Sequence, residues 1–234
     1  MDAATTSGVV LGNVTLLFKF FGLAFSALLP VINPFGSALL LLAMIGNAPE
    51  RVFHSLARRI AINTILFLIV IEMGGTAVLS FFGISLPVVQ VAGGLILAAM
   101  GWNLLNQSAS DSNGKRAEVA EVDVTRLEEG VFYPFTFPIT AGPGTVVIML
   151  TLAAHAGVKG TIPAAMAHAG ILLAVVVLSL LVYVSYAYAP RITQHISSQT
   201  AHGILRVIAF VLLCIGVQIT WNGVEAMLQT VLRR

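Results

Sequence analysis

The stretch Pro30-Val31-Ile32-Asn33-Pro34-Phe35-Gly36 interrupts an apolar run, and Pro138-Ile139-Thr140-Ala141-Gly142-Pro143-Gly144 interrupts another one 108 residues later. The outer proline and the closing glycine fall at matching places, and further along Leu42 falls on Leu150. Proline has no backbone N–H, and its ring collides with the carbonyl one turn earlier. Each stretch therefore predicts a broken helix. One isolated proline kink usually only shapes packing. Two matched breaks at corresponding places read as an internal repeat with a working purpose.

The surroundings place both breaks in a membrane. Of 234 residues, 58% are hydrophobic and 9% are charged, and the mean hydropathy is +0.96. Ordinary soluble domains carry about 25% charge. This composition excludes a soluble enzyme, a disordered chain and a disulfide scaffold, and it disfavours a barrel of alternating strands. Six spans are predicted, at about 22–46 (with an apolar lead-in from Val9), 57–82, 84–106, 130–154, 161–189 and 203–228. The stretch 107–129 is polar and charged throughout and reads as a solvated linker. Domain organisation follows: a three-span repeat at 1–106, the linker at 107–129 and a second three-span repeat at 130–234.

Three spans is an odd number, so the second repeat enters the membrane from the opposite side. The expected fold is all-α and polytopic, six transmembrane helices as two inverted repeats with helices one and four broken, an arrangement common in secondary transporters. Seven basic residues (Arg51, Arg58, Arg59, Lys115, Arg116, Arg126 and Arg191) fall on one side. That side is expected to be cytoplasmic, with both termini outside and the linker inside. Trp102 and Trp221 sit where interfacial anchors would, and Tyr183, Tyr186 and Tyr188 read as an aromatic belt. The N-terminus lacks the basic cluster of a cleaved signal peptide.

Backbone groups cannot stand bare in lipid, so the breaks must face protein or a watery cavity. Half-helices starting near Phe35 and Gly144 would aim amides at that cavity and attract a carboxylate. Carbonyls freed near Asn33 and Thr140 would take an ammonium group or a cation. The candidate substrate-binding residues are Asn33, Pro34, Phe35, Gly36, Thr140, Ala141, Gly142, Pro143 and Gly144, with the breaks opening near mid-membrane.

A second set carries candidate coupling or cavity roles. Glu72 is an ionisable residue inside span two and a functional candidate by default. Thr76 follows one helical turn later. Gly93 and Gly94 permit close helix approach or clear space beside the breaks. Gln218 is a weaker cavity candidate on span six. Of five histidines only His168 lies well inside a span, and with Glu72 it makes a poor catalytic pair. There is no metal spacing, phosphate loop or nucleophile elbow, so no cofactor, metal or enzymatic activity is expected. The net charge of +2 suggests no nucleic-acid partner.

Asn33-Pro34-Phe35-Gly36, the Pro138–Gly144 motif, and Phe82-Gly83-Ile84-Ser85-Leu86-Pro87 followed by Ala92-Gly93-Gly94 together resemble the MarC family of integral membrane proteins. The resemblance extends from Phe20 to Leu228. It implies a six-spanning protein of the inner membrane. Through the family's SnatA branch, it also implies transport of small neutral amino acids such as glycine and alanine, with a proton or another ion as coupling partner. Members commonly carry an acid where this chain has Thr76 and an arginine where it has Gln90, and the family's span-six arginine is kept as Arg206. A channel or facilitator for another small polar solute, and a membrane scaffold, are the alternative readings.

Overall fold

A computed structural model describes residues 3–46, 48–106, 130–157, 160–195 and 198–232, and these are helical throughout apart from short connections. The helices are α1 (Ala3–Ile32), α2 (Pro34–Ile45), α3 (Glu50–Phe81), α4 (Leu86–Asn106), α5 (Val131–Thr140), α6 (Pro143–Ala156), α7 (Thr161–Ala187), α8 (Ala189–His195) and α9 (Ser198–Leu232). The linker 107–129 lies outside the described residues. Five helical stretches are long and apolar enough to cross a bilayer, and the bent pair α5–α6 makes a sixth. This is the all-helical, polytopic fold expected from the composition.

Two packing blocks hold the bundle. In the first, α7 is flanked by α1 and α3, and its buried face includes Ala167, Gly170, Ile171, Ala174, Leu178 and Val182. Small residues let backbones approach where lipid gives no hydrophobic drive between helices. A Cβ on Gly170 would lie 2.3 Å from the Leu17 carbonyl oxygen of α1. In the second block α4 packs along α9. There a Cβ on Gly94 would meet Thr220 and the Gly216 carbonyl, one on Gly216 would meet the Ala98 amide, and one on Gly101 would meet Leu213. Gly93 faces the other way, onto Val147 of α6. The two adjacent glycines thus seat α4 between α6 and α9. Apolar side chains such as Val70, Met73, Leu180 and Phe210 point outward, as lipid contact requires. Trp102 and Trp221 are also exposed.

The two breaks differ, contrary to the matched opening expected from the sequence. α1 and α2 together form one long span interrupted at Asn33 alone, whereas α5 and α6 bend by 68°. At Asn33 the ladder closes again at once, with Asn33 N–H donating to Leu29 O and Ser37 N–H to Asn33 O, both at 2.9 Å.

Candidate functional site

Asn33 has φ 44° and ψ 66°, a left-handed conformation that asparagine tolerates better than most residues. Its side-chain oxygen accepts from the Gly36 amide at 3.0 Å and caps α2, whose first residue is Pro34. Proline suits that first position, where an N–H would be an orphan anyway. A Cβ on Gly36 would run into the Asn33 amide, so the glycine makes room for the cap. In an unbroken helix the Gly36 N–H would serve the Ile32 carbonyl. Ser37 takes over that duty, its hydroxyl donating to Ile32 O at 2.8 Å and lying 3.5 Å from Ile139 O of α5. The carbonyls of Leu29, Ile32 and Asn33 at the first break are therefore already occupied, which leaves fewer of them open than the sequence led one to expect.

The second break is built differently. Residues 133–140 repeat a four-residue unit, Tyr-Pro-Phe-Thr then Phe-Pro-Ile-Thr. Tyr133 and Phe137, each before a proline, have extended backbone angles, and both following peptide bonds are cis. The coil is wider than an α-helix, with Ala141 N–H reaching back five residues to Thr136 O at 2.8 Å. Each threonine hydroxyl also reaches five residues back, Thr136 to Val131 O at 2.9 Å and Thr140 to Phe135 O at 2.7 Å. These hydroxyls add donors to a segment in which two prolines have none.

Thr140 also meets the Tyr186 hydroxyl at 2.8 Å, and Ser37 lies beside the same phenol. All three side chains are buried. The structure thus brings the two sequence motifs together, through Ser37, Ile139, Thr140 and Tyr186. Tyr186 is fully buried and does not belong to an interfacial belt. Tyr183 and Tyr188, by contrast, pack edge-on against His54. Since Tyr186 is the penultimate residue of α7, the meeting point lies at one end of that helix and not at its middle, where the breaks were expected to open.

α6 starts at Pro143 with Gly142 before it, and no side chain caps it. Ala141, Gly142 and Gly144 are buried, and a Cβ on Gly144 would strike Leu97 of α4. In the first turn of α6 the Thr145 hydroxyl is fully buried and has no hydrogen-bond partner, and the same holds for Thr64 of α3 and Ser179 of α7. Buried hydroxyls without partners are uncommon and call for an explanation. Two small cavities open on the helices that carry the breaks, and the first of them borders a break itself. One, of about 300 Å³, lies between Asn33, Pro34 and Phe35 and the α9 residues Val207 and Ile208. The other, of about 330 Å³, includes Ser26, Thr151 and Gln218 in its lining.

Of the second set, Glu72 is buried and its carboxylate contacts Nδ1 of His168 on α7. The pair set aside on sequence grounds is therefore a direct contact, with the His168 side chain 37% exposed and that of Glu72 2% exposed. Thr76 is a correction: it is exposed, and Gly75 takes the buried position beside Glu72, facing Leu150. A step of four residues drifts around a helix by about 40°, enough here to carry Thr76 off the packed face. Arg206 is exposed on α9, outside both cavities. Gln218 is exposed too, donating to Asn222 at 2.8 Å, although it borders the second cavity. Gln90 is buried and reaches Thr151 at 3.4 Å. Sequence reasoning missed Ser37, Thr145 and Tyr186. The tandem Pro-x-Thr unit was the one signal that could have pointed to the wide coil.

The model of the MarC family of integral membrane proteins matches residues 18–228. The chain belongs to the MarC family. Among its curated relatives, the proteins named UPF0056 inner membrane protein MarC from Escherichia coli K12, Shigella flexneri and Citrobacter koseri are each 30% identical over 218 residues, covering 92% of this chain and 98% of the relative. Like those MarC proteins it is a multi-pass protein of the inner membrane. No solved structure matches it.

Proposed function

We propose that this MarC-family protein is a secondary transporter of small neutral amino acids, of the SnatA kind, working by alternating access around the two helix breaks. The observation that carries the reading is the start of α6: an uncapped helix N-terminus next to a buried, unpartnered Thr145 hydroxyl, beside the end of α5 that meets α2. An N-terminus of this kind favours a carboxylate. The carbonyls of the wide coil suit an ammonium group. Gly142 and Gly144 are closely packed, the latter against Leu97 of α4, and a surrounding this tight is read as favouring a hydrogen or methyl side chain. Glu72 and His168 are read as the coupling pair, a carboxylate and an imidazole able to share a proton inside the bundle. No enzymatic role is assigned to them. The arginine-rich side is taken as cytoplasmic and the termini as external.

The test is uptake of labelled glycine and alanine into proteoliposomes, with counterflow to separate a carrier from a pore. Wild-type protein is expected to show trans-stimulation. Thr145→Val removes the unpartnered hydroxyl and keeps the shape, so it is expected to raise KM severalfold while leaving the fold as stable or more so. Unchanged kinetics in Thr145→Val would sink the placement. Uptake without trans-stimulation would favour the channel reading.

A further inference from the structure

α9 packs on α4 with one side, where Ala209, Gly216 and Gly223 meet Gly101, Gly94 and Pro87. On the opposite side Val207, Val211, Cys214, Gln218 and Trp221 are all exposed. Their spacing is four, three, four, three, the repeat with which one helix lays a seam along another. A seam of this period drifts by about 20° per seven residues, and a left-handed winding of the two helices takes that up. Glu225 is next in the spacing. Its carboxylate would face its own copy, so the seam is confined to 207–221.

A polar pair sits in this otherwise apolar side. The Gln218 side-chain amide donates to Asn222 Oδ1 at 2.8 Å, and both residues are exposed. Gln218 Oε1 and the Asn222 amide N–H groups have no partner among the described residues. The depth follows from α4. Gly94, near the middle of that 21-residue span, packs against Gly216 and Thr220, which flank Gln218. At mid-span an open amide has no bulk water to turn to, and acyl chains offer neither donor nor acceptor. Glutamine and asparagine at such places bond across helices.

We infer that this side of α9 is the interface of a homodimer, its occupant α9 of a second copy, clasped by Gln218 and Asn222. An open acceptor beside open donors is self-complementary, as a two-fold contact requires. Copies inserted in one orientation pair through an axis along the membrane normal. The two α9 helices then run parallel, and each seam residue faces its own counterpart. Gln218 thus meets Gln218, and the two Cys214 thiols come within reach of a disulfide, whose Cα atoms stand about 4.4–6.8 Å apart. The inference does not depend on the transport reading.

The native cysteine supplies the test, since Cys214 is the only one in the chain. Wild-type protein in proteoliposomes is oxidised with copper phenanthroline and run on a non-reducing gel. A disulfide-linked dimer is expected, and its yield should persist on tenfold dilution with lipid. Cys214→Ser/Leu180→Cys, which moves the thiol to an exposed place on α7, should give only collisional crosslinks that fall with dilution. Gln218→Leu keeps the size and removes the amide, and should weaken dimerisation about fivefold. Gel filtration and helicity verify the fold, and Asn222→Leu serves if Gln218→Leu fails to fold. Single-molecule photobleaching of wild type carrying a C-terminal fluorophore should show two steps. Wild-type crosslinking no better than the α7 control, or single bleaching steps, would mean that lipid covers this side and overturns the inference. Undiminished dimer in the amide variants overturns it too, and would leave Gln218 to the cavity it shares with Ser26 and Thr151.

Discussion

Thr140 and Tyr186 meet hydroxyl to hydroxyl at 2.8 Å, both fully buried, one at the end of the wide coil α5 and the other on α7. This contact fastens the bent span to the helix at the centre of the first packing block. Replacing either partner leaves the other buried with fewer bonds, at a cost of about 1–3 kcal/mol. Thr140→Val/Tyr186→Phe is expected to cost less than the sum of the single changes, with a coupling of about 1 kcal/mol. Denaturation in detergent micelles measures this, and strict additivity would mean that the two groups are independent.

The backbone and side chain of Asn33 make separable contributions. Asn33→Gly keeps the left-handed conformation and loses the cap. Asn33→Ala loses the cap and also strains the backbone, by a further ~1–2 kcal/mol. The expected order of stability is wild type, then Asn33→Gly, then Asn33→Ala. An alanine variant as stable as the glycine variant would contradict the φ of 44°. Cysteine labelling at the breaks needs Cys214 replaced first, because that thiol is exposed.

Glu72 and His168 should be cheaper to remove together than singly. His168→Leu strands a buried carboxyl at a cost of about 1–3 kcal/mol, and Glu72→Leu/His168→Leu should recover much of that loss. In proteoliposomes, Glu72→Gln is expected to abolish the dependence of uptake on a pH gradient. If the dependence persists in full, Glu72 is not the coupling group.

The glycines of α3 and α4 predict opposite outcomes for one chemical change. Nothing lies within 4 Å of a Cβ built on Gly74, whereas one on Gly94 would sit 2.4 Å from the Thr220 hydroxyl and 2.7 Å from the Gly216 carbonyl. Gly74→Ala should therefore gain about 0.5–1 kcal/mol of stability. Gly94→Ala should lose about 1–3 kcal/mol through overpacking. Thermal unfolding of the two variants, read side by side, tests the α4–α9 contact.

The spans and both break points were legible because hydropathy and proline act locally. α2 and α6 begin at Pro34 and Pro143, within a residue of the expected half-helix starts. What each break does was not legible. Whether a carbonyl stays open depends on a hydroxyl several residues away, as Ser37 serves Ile32, and that is a matter of rotamer and packing. Tyr186 and Tyr188 look alike in sequence, yet one is wholly buried and the other exposed, because only the tertiary contact with Thr140 distinguishes them. Thr76 failed for a geometric reason, since on α3 the packed face runs from Glu72 to Gly75. The Glu72–His168 contact spans 96 residues of sequence and has no local signature.

The inequality of the two breaks divides mechanical labour. The Asn33 interruption has its ladder restored within one turn and resists flexing, so α1 and α2 transmit force as a strut. The α5–α6 elbow is bent by 68° and carries an unpartnered hydroxyl just past its corner, so it is the compliant joint. With α4 and α9 locked backbone to backbone as a stator, any rocking of the bundle should be absorbed at 141–143. On the proposed transport reading, a crosslink across that corner is expected to arrest uptake, while one across Asn33 should leave it running.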